Sequence, residues 1–129
     1  MLFRSCTYHP SVGAHVGAGI ASPGFAVAQD RASSGREFVT AFVAASEVMY
    51  RIGHAANDSV EKIGFHSPGL LGVFAGAVVC GRLMGFDAGR MANALGIAGS
   101  LVSGVLEFSK SGGGMVKRLH LGQIGRAHV

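Results

Sequence analysis

Charge is what this 129-residue chain has least of. Asp, Glu, Lys and Arg make up 14% of it, against 49% hydrophobic residues. Soluble domains run nearer a quarter charged, which leaves three classes open: a membrane segment, the buried part of something larger, or a subunit rich in interfaces. The 11 basic and 7 acidic residues are scattered. With no block of Lys and Arg there is no stripe to hold a nucleic acid. The net charge of +4 suits an anionic small molecule, or ordinary surface charge. Two cysteines are present, Cys6 and Cys80, and neither belongs to a CxxC pair. The expectation is free thiols in a reducing cytoplasm. The opening MLFRSCTYHP has no apolar h-region, so no secretory signal is expected. The uncharged run from Ser67 to Gly81 is closed by Arg82 and falls short of the ~20 residues that span a bilayer. It reads as a buried core helix, not a membrane one. No segment sustains period-two alternation, so the expected fold class is all-α.

Small residues fill the space instead, 21 glycines among them. Residues 12–28 read as a short helix split near Ser22–Gly24, where Pro23 interrupts. Ser34 followed three residues later by Glu37 is the capping-box pattern. Phe38, Ala41, Phe42, Ala45, Val48 and Met49 follow at helical spacing, predicting a helix to about Ile52 or beyond. The polar stretch 54–62 either prolongs it or loops out before Gly64. Pro68 suits the first turn of the next helix, with Ser67 as its cap. Along that helix Gly69, Gly72, Gly76, Ala77, Cys80 and Gly81 recur at three- and four-residue spacing, a face that admits a close neighbour. Asp87 caps a helix from Ala88 to about Ile97, and Gly99–Phe108 reads as one more. The picture is a stack of closely nested helices.

The chemistry-bearing residues fall into four places: His9 before Pro10, His66 just ahead of a helix start, the pair Lys117-Arg118, and His120. A helix N-terminus favours the neutral form of His66. Two imidazoles can exchange protons with a substrate, and adjacent cations can hold its carboxylates. His15 and His54 lack such a setting and read as structural or surface residues. No HxxxH or HExxH spacing and no paired cysteines occur, so no metal site is expected. The triple glycine before Met115 does not meet the order of a phosphate-binding loop. On the residues alone the reading stops at a helical chain, with part of an anion-binding enzyme as one open alternative.

Three motifs in order go further: HPS near the start, GFH before the glycine-rich helix, and KRLHLG after the ALGIA segment. Together with GFHSPGLLGVFAGAVVCGRLMGFDAGRMANALGIAGSLVSGVLEF they resemble the MmgE/PrpD family. This family includes 2-methylcitrate dehydratase, cis-aconitate decarboxylase and iminodisuccinate epimerase. The resemblance implies a large helical domain joined to a smaller lid, usually in a homodimer. It also implies an active site between the two that needs no metal or other cofactor. His9, His66 and Lys117 match the family's catalytic positions, and Lys117, Arg118 and His120 its substrate-binding segment. The family's Thr ahead of the HP motif has no counterpart, since Phe3 stands in its place.

Residues 1–122 are therefore expected to form part of the helical domain. Residues 123–129 resemble the translation of a sequencing-adapter read-through and are expected to be a non-native tail. The implied function is that of a lyase of a small polycarboxylate, inactive as this piece alone. The triple glycine is expected to let Lys117 and His120 swing onto a carboxylate. The alternatives are a non-catalytic helical interaction module and a membrane-inserted hairpin.

Overall fold

A computed structural model describes residues 8–9, 14–56, 59–110 and 112–126, with side chains from 14 to 123 within those ranges. The architecture is all-α. Strands β1 (Tyr8–His9) and β2 (Ala14–His15) form one short antiparallel pairing, in the register Tyr8 with His15 and His9 with Ala14. The helices are α1 (Val16–Asp30), α2 (Gly35–Ala55), α3 (Ser59–Lys62), α4 (Ser67–Leu83), α5 (Ala88–Ser100) and α6 (Gly114–Arg126). A single 3-10 turn covers Leu106–Ser109.

Helix α4 sits at the centre, packed against α1, α2, α5 and α6. From Leu71 to Gly81 only Phe74 is more than marginally accessible. Its small residues explain how several helices reach it at once. A Cβ placed on Gly19 of α1 would lie 3.2 Å from Gly72 Cα, and one on Gly81 would lie 2.8 Å from Met91 Cε of α5. Ile20, Met49, Leu71 and Val79 are the largest apolar side chains buried completely, and they join α1, α2 and α4 into one core. Burying each contributes about 1.5–3 kcal/mol. A second cluster, Val73, Ala77 and Ala98 with Phe74 and Leu121, ties α5 and α6 to the other side of α4. Among the described residues no helix is long and apolar enough to cross a membrane.

The local signals at two helix starts hold. Ser34 and Glu37 form a reciprocal capping box, and the Asp87 carboxylate accepts from Arg90 N–H at 2.8 Å. Elsewhere the structure differs from expectation. Helix α1 runs through Pro23 without splitting. Its buried face, Gly19, Ile20, Pro23, Gly24 and Val27, packs on α4 and outweighs the hydrogen bond that proline forfeits. Helix α2 does run past Ile52 to Ala55, as expected, and α3 adds one short turn within the polar stretch. Ser67 is the first residue of α4 and not its cap; the cap position belongs to His66, because the Ser67 hydroxyl donates to the Glu61 carboxylate. The helix expected over Gly99–Phe108 is replaced by an extended connection after Ser100, in which Gly104 takes φ +108°. That connection bonds to the strand-like residues before α4: His66 N–H donates to Gly104 O at 2.9 Å, and Leu106 N–H to Gly64 O at 2.8 Å.

The segment from Met115 to His120 is helical, so Lys117, Arg118 and His120 ride on α6. Gly112, at φ +71°, makes the turn before it. Helix α6 continues unbroken from the KRLH motif to Arg126.

Candidate functional site

Everything that places His66 follows from the few residues around it. Pro68 fixes the first turn of α4, and His66 stands just outside in extended backbone, φ −82° and ψ 105°. Its carbonyl accepts from Gly69 and Leu70 N–H at 2.9 and 3.2 Å, while its own N–H is taken by Gly104. The imidazole therefore does not cap the helix. It turns inward and is 4% exposed.

There it meets α6. His66 Nδ1 lies 3.3 Å from His120 Nδ1, with the ring centroids 5.4 Å apart. Phe108, from the 3-10 turn, sets its ring edgewise against both imidazoles, at 5.1 Å from His66 and 5.6 Å from His120. Burial, then the neighbouring His120, Lys117 and His15, push the His66 pKa down to about 4. His66 is thus neutral across the physiological range. A neutral imidazole can accept a proton at one nitrogen and donate from the other.

Lys117 is exposed on α6, yet its charge acts on both His66 and His15. His15, at the end of β2, is half-buried. Desolvation and then Lys117 lower its pKa, with Glu61 opposing. Arg118 directs its guanidinium to Met115 Sδ of its own helix, 3.6 Å away. His9 is placed by its backbone opposite Ala14, next to the Tyr8–His15 pair; its side chain lies outside the described residues.

So the structure brings His66, His120 and the charge of Lys117 together and turns Arg118 along its helix. Three members were not anticipated as functional: His15, Glu61 and Phe108. His15 reaches the site through the packing of β2 on α4, and Glu61 through its hydrogen bond from Ser67. Phe108 sits in a segment that reads as helix and folds as a 3-10 turn. No short-range pattern marks any of them. Among the described residues no three His, Cys, Asp or Glu side chains converge as metal ligands.

The MmgE/PrpD N-terminal domain matches this chain over residues 5–129. The chain belongs to the MmgE/PrpD family. Cis-aconitate decarboxylase of Aspergillus terreus is 36% identical over 95 residues, which is 73% of this chain and 19% of that enzyme. The enzyme of Aspergillus terreus strain NIH 2624 / FGSC A1156 matches to the same extent. The chain spans about a fifth of the length of the curated relatives it matches. No solved structure matches it. The motif-based resemblance and the all-α expectation both agree with an MmgE/PrpD N-terminal domain, and lyase-type relatives accompany it.

Proposed function

We propose that this MmgE/PrpD domain supplies part of the active site of a lyase acting on a small polycarboxylate. The reaction is dehydration of a 2-methylcitrate-like substrate, or decarboxylation or epimerisation of a related one. The observation that carries the reading is the buried, neutral His66 in contact with His120, under the influence of the Lys117 cation. Removing a proton beside a carboxylate, or losing carbon dioxide from one, leaves negative charge spread into the carboxylate oxygens. A lysine ammonium offsets that charge as it develops, and an imidazole accepts or returns the proton. The similarity to a cis-aconitate decarboxylase supports this substrate class. His9, matched by motif, joins the proton-transfer set, and Arg118 the carboxylate-binding one. The 129 residues alone are expected to be inactive.

The test is turnover of cis-aconitate and 2-methylcitrate by the protein expressed from its complete genomic reading frame. His66→Asn should lower kcat/KM by about 10²–10⁴-fold in a protein that still folds, the range for loss of a general acid or base. Full activity in a folded His66→Asn protein would overturn the reading. A second reading, a helical docking module, draws on the apolar surface of α1 and α2, where Phe25 and Val43 are 58% and 61% exposed. It predicts that His66→Asn leaves catalysis intact.

A further inference from the structure

The contact between His66 and His120 is made by like atoms, Nδ1 to Nδ1 at 3.3 Å. Two protonated Nδ1 atoms would drive their hydrogens into one another, and two bare ones would set lone pair against lone pair. Only a pair with one Nδ1–H and one unprotonated Nδ1 makes a hydrogen bond. In neutral rings the remaining proton then sits on the Nε2 of the accepting ring, while the donating ring has a bare Nε2. A pair of identical residues, His66 buried and His120 half-buried, therefore presents one base and one acid at its two outer nitrogens.

We propose that His66 and His120 act as one neutral unit of opposite tautomers, a relay that takes a proton at one Nε2 and releases one at the other. The balance closes without a charged ring. A substrate proton adds to the bare Nε2 of the first ring, whose Nδ1 proton crosses to the Nδ1 of the second. The second ring gives up its Nε2 proton to an acceptor. Both rings end neutral, with their tautomers exchanged.

Surroundings on every side favour this arrangement. Phe108 presses edgewise on both rings, and the Gly104 backbone stands so near His120 that a Cβ there would lie 3.0 Å from Nδ1. These contacts hold the two nitrogens facing each other. An imidazolium at His66 is opposed by burial and by its neighbours His120, Lys117 and His15, so His66 enters the pair as a neutral ring. Glu61 accepts from Ser67 and its charge acts on His15. A relay of this kind explains how a site that resists imidazolium can still carry out acid–base chemistry. It also changes the role expected for His120, from substrate ligand to the second proton-transfer group of the pair, which sets the tautomer of His66 as well.

The relay deepens the proposed lyase site and rests on that reading for its substrate; the pairing of tautomers does not. The test is long-range ¹H–¹⁵N correlation of the histidine rings in the uniformly labelled protein at pH 7, without substrate. Opposite tautomers for His66 and His120 are expected. The same tautomer in both rings, or a doubly protonated ring, overturns the proposal. In a folded His120→Phe protein, His66 should lose its fixed tautomer, and an unchanged His66 spectrum would also overturn it. If that variant does not fold, the unsubstituted protein decides alone. Absence of turnover with opposite tautomers intact would sink the lyase reading and leave the paired unit standing.

Discussion

Gly69 of α4 and the Ser103 carbonyl stand so close that a Cβ on Gly69 would lie 2.7 Å from the carbonyl oxygen. This approach lets the extended connection after α5 lie against the start of α4, where it bonds to His66. Gly69→Ala is therefore expected to push the connection away and destabilise the fold by about 1–3 kcal/mol, as overpacking does. Gly96 on α5 provides the contrast, because nothing lies within 4 Å of its added Cβ. Gly96→Ala should stabilise by about 0.5–1 kcal/mol through helix propensity. Urea unfolding of the two variants checks the opposite signs.

Gly104 carries a sharper prediction for the site. Its φ of +108° disfavours any L side chain, and a Cβ would approach His120 Nδ1, Cε1 and Cγ at 3.0, 3.2 and 3.2 Å. Gly104→Ala is expected to cost about 1–3 kcal/mol for the backbone strain and to tilt the His120 ring off His66. The checks are thermal unfolding and the ring proton shifts of both histidines, which should move well beyond those of other residues.

What the sequence disclosed and what it hid divide by range. The Ser34–Glu37 box and the Asp87 cap act over three residues, so their residue types announce them. The core face of α2 follows from 3.6-residue spacing, and Ala41, Ala45 and Met49 are buried as that spacing requires. The course of residues 101–105 depends on hydrogen bonds to Gly64 and His66, far earlier in the chain, and helical-looking composition could not reveal it. Pro23 reads as a breaker because the packing that retains it comes from α4. His66 and His120 are 54 positions apart. Their motifs named each as a candidate, but no periodicity places one nitrogen on the other. His15 shows the limit most plainly: it has no motif, and the fold puts it within the field of Lys117.

Lys117 acts on the imidazoles through space, so removing its charge should be visible in their titrations. Lys117→Gln is expected to raise the pKa of His15 and of His66 by a fraction of a pH unit, since water screens an exposed cation. Salt should produce a similar rise in the unsubstituted protein and little in the variant. Proton NMR titration at low and high ionic strength reads both. If neither histidine responds to Lys117→Gln, the lysine does not belong to the site's electrostatics.

Stability should fall on mild acidification because of His66. In the folded chain its pKa is about 4, below the ordinary 6.5 expected once unfolded. Between those values the unfolded chain binds more protons than the folded one, so unfolding grows easier as pH falls. The contribution is fully present above about pH 6.5 and is lost progressively toward pH 4. At most it amounts to ~3 kcal/mol for a shift of this size, and the lowered pKa of His15 adds in the same direction. Urea unfolding at pH 7.0 and pH 4.5 should show the loss, and His66→Gln should reduce it while leaving the His15 share. An unchanged pH slope in a folded His66→Gln protein would mean that this imidazole is not held neutral by the fold.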